Sequence, residues 1–517
     1  MVSNVFTAGV EGVNGFAVSV ECSLSENYND NSSCYFAVVG LPDNAVKESK
    51  ERVKNAIESS GCVYPGDCRI IVNLAPADKK KAGSSYDLAL LMAVLAADGQ
   101  IKADVSHCCF IGELSLLGGV RPVHGVLPMV VAARDAGIET AFVPAENEAE
   151  ASVVEGMKVY GVSDVRALLD HLGGKKPIAR ALFDRKSYFG RAAKAAVDLC
   201  DVKGQQSAKR ALEIAAAGGH NLLFIGPPGT GKSMLAKCLP GILPEMTFEE
   251  ALESTKIHSC AGTLPQGTPL LYARPFRAPH HTMSAVALAG GGSNPKPGEV
   301  SLAHNGVLFL DELPEFPKQV TEILRQPLED GSITITRAIG NCTFPTCFML
   351  VCAMNPCRCG NFGNPNKPCT CRKDDIKKYM SRISGPLLDR IDLQVEVASL
   401  QYDELSSSEK SETSAVVRAR VNAARAFARK RTENEETPIF SNARLTPAQI
   451  RKYCALDEDA DKLLRSAFQN LGLSARGHDR ILRVARTIAD LEAEEKISAR
   501  HIAEAIRLRT LDRKYWG

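Results

Sequence analysis

Residues 221–240 read Asn221-Leu-Leu-Phe-Ile-Gly-Pro-Pro-Gly-Thr-Gly-Lys-Ser-Met-Leu-Ala-Lys-Cys-Leu-Pro240. The apolar run to Ile225 has the length of a buried strand, and Met234 to Leu239 opens a helix. Between them Gly226, Pro227, Pro228, Gly229, Thr230, Gly231, Lys232 and Ser233 spell the full G-x-x-x-x-G-K-S pattern. Phosphate chemistry needs these residue types. The glycines let backbone N–H groups curl round a phosphate, and the helix start adds the positive end of its dipole. Lys232 reaches the β- and γ-phosphates, and the Ser233 hydroxyl ligates Mg²⁺. A strand–loop–helix unit of this kind predicts an α/β fold that binds ATP and Mg²⁺.

Two further strand ends belong with this loop. Gly306-Val-Leu-Phe-Leu310 is a buried strand that ends in Asp311-Glu312. A carboxylate there holds the hydration shell of Mg²⁺, the role expected of Asp311. Its neighbour Glu312 polarises the attacking water. A third strand, Cys347 to Ala353, leads to Asn355, whose amide is expected on the γ-phosphate or the water. From 191 to 400 short apolar runs alternate with helical patterns, which predicts a parallel sheet with crossover helices, the ATPase core. Residues 1–172, rich in Val, Ala and Gly, form an earlier domain. Residues 173–190, opening on Gly173-Gly-Lys-Lys-Pro177, read as a linker. Residues 401–517 read as a helical domain, after a polar linker from Leu405 to Ser414.

The composition narrows the function classes. Of 517 residues 45% are apolar and 24% charged, which excludes wholesale disorder, collagen-like repeats and coiled-coil composition. Lys and Arg number 62 against 60 Asp and Glu, a net charge of +2, so the whole chain is no polycationic nucleic-acid binder. Any such contact must come from local clusters. Seventeen cysteines, an odd number scattered over the chain, fit a secreted disulfide scaffold poorly. No basic residue precedes Lys47, unlike a signal peptide. The apolar stretch Leu88 to Ala97 is about ten residues, half of what a membrane-spanning helix needs. The expectation is a cytoplasmic protein without a membrane partner, its thiols free or metal-bound.

Four cysteines stand apart. Cys357-Arg-Cys359 and Cys369-Thr-Cys371 flank a loop rich in Gly, Pro and Asn. Two close thiolate pairs supply a closed tetrahedral Zn²⁺ site. Structural zinc is the expectation, with free thiols and an iron–sulfur cluster as alternatives. The segment directly follows Asn355, so its folding would position that residue.

These motifs, with Arg274-Pro-Phe-Arg-Ala-Pro-His-His281, Pro297-Gly-Glu-Val-Ser-Leu-Ala-His304, Gly306 to Phe316 and Ile383-Ser-Gly-Pro-Leu-Leu-Asp-Arg-Ile-Asp392, resemble the Mg-chelatase-like group of AAA+ ATPases. The likeness covers nearly the whole chain. It implies a P-loop core with a C-terminal helical lid, and a homo-oligomeric ring, hexameric by expectation, with ATP between subunits. It implies an arginine finger at Arg390, with Arg382 as second candidate. It implies a sensor-2 helix over Leu473 to Leu482, whose arginine touches the γ-phosphate of its own chain. Arg476 fits that role best; Arg480, four residues on, is its rival.

Alternation over Ser332 to Thr336, a turn near Arg337 to Asn341, and renewed alternation predict a hairpin. In the resembling helicase-like members a hairpin at this place enters the ring pore, so Arg337 is expected on a DNA phosphate. The glycine-rich loop Ala287 to Lys296 is the other pore candidate, with Lys296 at its end. Arg418, Arg420, Arg425, Arg429, Lys430 and Arg431 form a basic run that is either a DNA face or a solvated lid helix. His280-His281 has no third metal ligand in view.

Gly112-Glu-Leu-Ser-Leu-Leu-Gly-Gly-Val-Arg-Pro-Val-His-Gly125, Ala132 to Ile138 and Val143 to Asn147 resemble the Lon-type protease domain, of the ribosomal-S5-domain-2 type. That domain cleaves with a Ser/Lys dyad. The serine aligns with Ser84 or Ser85, and the lysine with Leu127, which cannot deprotonate a hydroxyl. A lysine from Lys79 to Lys81 is the remaining candidate. The domain is therefore expected to be non-proteolytic. The resemblance implies an ATP-hydrolysing DNA translocase that migrates branches at recombination junctions of incoming DNA, with single- and double-stranded DNA as partners. The alternatives are a metal-insertion motor and an ATP-dependent protease or unfoldase.

Overall fold

The computed structural model describes residues 2–26, 35–185, 188, 197–292, 294–337, 340–364, 367–400, 411–433, 435, 441–471, 474–509 and 511–516. Most of the polar run from Leu405, parts of the 173–190 linker, Ser293 of the glycine loop and Leu473 lie outside the described residues; of Arg337 only the backbone is described. The chain divides into two compact units, Met1–Arg191 with Phe248–Leu271, and Ala192–Thr247 with Tyr272–Gly517. The segment Phe248–Leu271 thus leaves the expected 191–400 block, and the C-terminal helices share a unit with the phosphate loop.

In the first unit a seven-stranded sheet runs in the order Phe36–Val39, Cys68–Ala75, Asn14–Glu26, Val2–Glu11, Cys108–Phe110, Thr140–Pro144, Lys158–Val162. Val2–Glu11, Asn14–Glu26 and Cys68–Ala75 pair antiparallel, with Val5 opposite Val20 and Val20 opposite Leu74, while Phe36–Val39 joins Cys68–Ala75 in parallel and the sheet from Val2–Glu11 through Cys108–Phe110 to Lys158–Val162 is parallel. Val5, Val18, Val20, Cys22, Val72 and Leu74 point to one core, as period-two alternation requires. The helix Asp87–Ala97 is buried nearly all round, so its apolar run is core and not membrane. Asp87, inside that core, is held by the Arg52 guanidinium and the Ser49 hydroxyl. The helix Phe248–Ala261 and Leu270 add Phe248, Leu252 and Leu270 to the cluster around Val126, Leu127 and Val130.

The second unit holds a five-stranded, all-parallel sheet: Phe276–Arg277, Val307–Leu310, Met349–Met354, Leu222–Ile225, Leu393–Glu396. Leu222–Ile225 and Val307–Leu310 are buried throughout, as central strands covered on both faces must be. The helices Gln206–Gly218, Ser414–Arg431 and Ala475–Leu491 close one hydrophobic core with Leu212, Val417, Val421, Ile481 and Ile488. An α/β P-loop core with a helical C-terminal part and a preceding Lon-like α/β unit is therefore the fold. Among the described residues, no helix is long and apolar enough to cross a membrane.

Candidate nucleotide-binding site

Parallel strands place their carboxyl ends on one edge of the sheet, and the loop after Leu222–Ile225 lies between the ends of its neighbours. Gly226 to Gly231 wrap into the helix Lys232–Ile242. Gly229 and Gly231 sit at φ 79° and 87°, left-handed conformations that a side chain rarely adopts. Lys232 is buried at this turn, its ammonium donating to the carbonyls of Gly226 and Pro227 at 2.7 Å each. Thr230 braces the loop by donating to the Pro227 carbonyl at 2.9 Å. Burial pulls the Lys232 ammonium down to about 8, against the charges of Asp311 and Glu312.

Three strand ends converge here. Lys232 also donates to the Asn355 side-chain carbonyl at 3.2 Å. The Ser233 hydroxyl donates to Asp311 at 2.6 Å. The residues expected for Mg²⁺, Ser233 and Asp311, are thus one hydrogen-bonded pair, an oxygen donor set suited to a hard cation. Glu312 is exposed beside them, at φ 54° in the left-handed region. A non-glycine residue held there marks strain at a site. Its carboxylate lies 3.4 Å from His281 Nδ1, and the rings of His280 and His281 lie 4.1 Å apart. The histidine pair, which the sequence leaves without a third metal ligand, belongs to this site. The missed signal is strand order: Phe276–Arg277 pairs with Val307–Leu310, so the loops after both meet.

Arg390 and Arg476 are elsewhere. Asn221, at the amino end of Leu222–Ile225, donates through its amide to the Arg390 carbonyl at 2.8 Å and through its backbone to Asp392 at 3.1 Å. Arg390 bonds the Arg325 carbonyl and Glu329, and Arg476 reaches the same Glu329 at 4.0 Å. Arg480 is buried against Asp392 and Asp389. A four-residue strand spans about 13 Å, so Asn221, and with it the Arg390 backbone and the Arg480–Asp392 pair, lies at the end of that strand away from the phosphate loop. Of the two arginines expected as the same-chain sensor, Arg476 is thus engaged by Glu329 and Arg480 by Asp392 and Asp389. Arg382 is paired with Glu315 at 2.8 Å.

Three Sγ–Sγ separations in the cysteine cluster, 3.4, 3.6 and 3.7 Å, are far from a disulfide and close to the roughly 3.8 Å edge of a tetrahedron with 2.3 Å Zn–S bonds. Cys371 completes the group. Although burial opposes ionisation of Cys359, the backbone N–H groups of Asn361 and Thr370 and the neighbouring thiols hold it down, to about 5. A poised thiolate among thiols fits a zinc ion. A second cluster, Glu492, Glu494 and His501, does not fit a metal: His501 Nδ1 accepts from the Ser498 N–H, so Nε2 carries the proton and donates to Glu492.

The expected hairpin is Ser332–Arg337 paired with Gly340–Pro345, Thr334 opposite Thr343. Gly290-Gly291 pairs with Lys296-Pro297, leaving Lys296 exposed. A Cβ on Gly290 would come within 3.2 Å of Ile335, so the two pore candidates are packed together. Three of the six residues in the basic run are engaged within the unit: Arg420 binds Glu213 and Glu412, Arg425 binds helix carbonyls and Arg431 binds Asp490. In the Lon-like unit Ser84 donates to Glu113, Lys81 to the Pro76 carbonyl, and Lys79 pairs with Glu11; Leu127 is fully buried.

This fold and site define a P-loop nucleotide-binding protein of the AAA+ type. Three family models match: magnesium chelatase, subunit ChlI, over residues 198–405; subunit ChlI of Mg-chelatase, over 24–147; and the C-terminal part of that subunit, over 411–509. The chain is 43% identical over 519 residues to the competence protein ComM of Haemophilus influenzae, covering 98% of this chain and 97% of that one. It is 42% identical over 514 residues to the uncharacterised protein YifB of Salmonella typhimurium, covering 98% and 97%. A shorter likeness, 29% over 127 residues, links 24% of the chain to 22% of Lon protease 2 of Bacillus subtilis. The chain belongs to the Mg-chelatase-like AAA+ family, in its ComM/YifB-type branch.

Proposed function

We propose that this protein hydrolyses ATP as a homo-oligomeric ring, hexameric by family likeness, and uses the energy to move along DNA and migrate recombination branches during uptake of foreign DNA. The observation that carries the hydrolytic reading is the convergence of Lys232, Ser233, Asp311 and Asn355 at one sheet edge. Lys232 turns from the loop carbonyls to the β- and γ-phosphates. Ser233 and Asp311 would hold Mg²⁺, which would neutralise charge on the phosphate oxygens. Glu312 takes the proton of the attacking water, and Asn355 orients it.

Arg390 acts on a neighbour's nucleotide, and Arg476 on the γ-phosphate bound by its own chain. The Arg390 backbone, held by Asn221 at the end of Leu222–Ile225 away from the phosphate loop, supports a role across a subunit boundary. The two packed hairpins, with Lys296 and Arg337, face DNA in the pore. Cys357, Cys359, Cys369 and Cys371 hold a structural zinc ion. The Lon-like unit is non-proteolytic, since neither serine is bonded to a lysine among the described residues. The branch-migration role rests on likeness to a competence protein. Its test is ATP-dependent strand displacement on three- and four-way junctions, compared with plain duplex. Junction unwinding with DNA-stimulated turnover supports the reading; ATPase indifferent to DNA refutes it and returns the metal-insertion motor.

A further inference from the structure

The cysteine knuckle touches the phosphate loop itself. Gly360, the residue after Cys359, sits at φ 79° with its N–H donating to the Cys357 carbonyl at 3.0 Å. A Cβ there would lie 2.5 Å from Pro228 Cδ and 3.2 Å from Pro228 Cγ. Real Cβ atoms do not approach so closely, so the knuckle backbone rests directly on the second proline of the loop. A second tie runs through the chain: Asn355, two residues before Cys357, accepts from Lys232. The strand Met349–Met354 makes a third, its Met354 carbonyl accepting from the Gly226 N–H at 3.2 Å. Cys357 is fully buried at the junction of these ties.

We infer that the four-cysteine centre is a metal-dependent brace for nucleotide binding: metal at Cys357, Cys359, Cys369 and Cys371 fixes Gly360 against Pro228 and Asn355 against Lys232. This rests on the proposed nucleotide and zinc sites and adds their coupling. The physical ground is that the loop Gly360 to Pro368 offers, apart from its two prolines, only Phe362 as an apolar side chain, so cross-linking by metal sets its conformation. Whatever fixes the knuckle then fixes one wall of the loop. Binding linkage is reciprocal, so nucleotide must tighten metal by the factor by which metal tightens nucleotide.

The experiment uses the full-length zinc-loaded protein. Release of zinc to a chromophoric chelator is followed with and without a non-hydrolysable ATP analogue. Release slowed about fivefold or more by the nucleotide is expected. In parallel, nucleotide dissociation constants are measured for wild type, Gly360→Ala and Gly363→Ala. Gly363 has the same left-handed backbone, φ 77°, in an exposed part of the knuckle, and controls for strain alone. Gly360→Ala should retain one zinc per chain and bind nucleotide about tenfold more weakly; Gly363→Ala should bind as wild type. Equal release rates together with unchanged affinity in Gly360→Ala overturn the brace. Equal weakening in both variants also overturns it, because strain and not contact would then be responsible. Wild type that carries zinc but binds no nucleotide instead refutes the ATP site, and wild type that binds nucleotide but carries no metal refutes the zinc site.

Discussion

Lys232 shares its ammonium between its own loop and Asn355, a residue just past the neighbouring strand and 123 positions away. The phosphate-binding lysine is therefore anchored at the loop before nucleotide arrives. Replacing it with alanine removes the cation aimed at the transferring phosphate. Lys232→Ala should lower turnover by about a hundredfold or more with its thermal unfolding midpoint near that of wild type. ATP hydrolysis at a near-normal rate in that variant would remove the site.

The same lysine gives a pH signature. Burial holds it to about 8, so the free protein loses this charge as pH rises through that value. Phosphate binding demands the charged form. Above about pH 8 binding must take up a proton, and affinity should fall by up to tenfold per pH unit; at pH 7 the lysine is already charged and uptake should be small. Calorimetric titration at pH 9 in two buffers of unlike ionisation enthalpy measures the uptake. Heats independent of buffer at that pH would assign the linkage elsewhere.

Glu312→Gln should bind ATP with near wild-type affinity and hydrolyse it at least a hundredfold more slowly, since a carboxamide cannot accept the proton of water. Binding is read by a fluorescent nucleotide and turnover by phosphate release. Loss of binding as well as turnover would show that Glu312 holds the site together instead of acting on water.

Arg390→Ala should bind ATP yet barely hydrolyse it. Co-expression with Lys232→Ala chains tests where the arginine acts. Mixed rings contain interfaces that pair an intact phosphate loop with an intact Arg390, and these should recover part of the activity. No recovery in rings shown to contain both chains would place the effect within one chain and move attention to Arg382.

The Lon-like unit should not cleave casein, with or without ATP. Ser84→Ala combined with Ser85→Ala should leave DNA-dependent ATPase unchanged. Casein cleavage that disappears in the double variant would restore the peptidase.

The phosphate loop was legible because its chemistry is local: eight consecutive residues carry it, with an apolar run before and a helix after. Asp311 and Asn355 were legible because each follows a buried apolar run, and a parallel sheet brings such ends together. What joins distant segments was not. The convergence of Arg390 and Arg476 on Glu329 depends on how three separate helical pieces pack, and no periodicity carries that. The left-handed backbone of Glu312 and its histidine neighbour follow from strand order, which a single sequence leaves open. The basic run over Arg418 to Arg431 shows the opposite case: charge is visible in sequence, but its buried acidic and carbonyl partners are not.

The excursion Phe248–Leu271 carries a consequence for any attempt to take the molecule apart. The chain passes between its two units three times, after Arg191, after Thr247 and after Leu271. The Lon-like unit is thus not an appendage that an N-terminal deletion removes. A truncation beginning at Ala192 keeps the helix Phe248–Ala261 while discarding the Val126, Leu127 and Val130 surface that covers Phe248 and Leu252. Such a fragment displays an unpaired apolar face and invites aggregation. A minimal ATPase has to lose both pieces, with a short polar bridge joining Thr247 to Tyr272. Conversely, the isolated Lon-like unit needs the 248–271 segment grafted to its end to be complete.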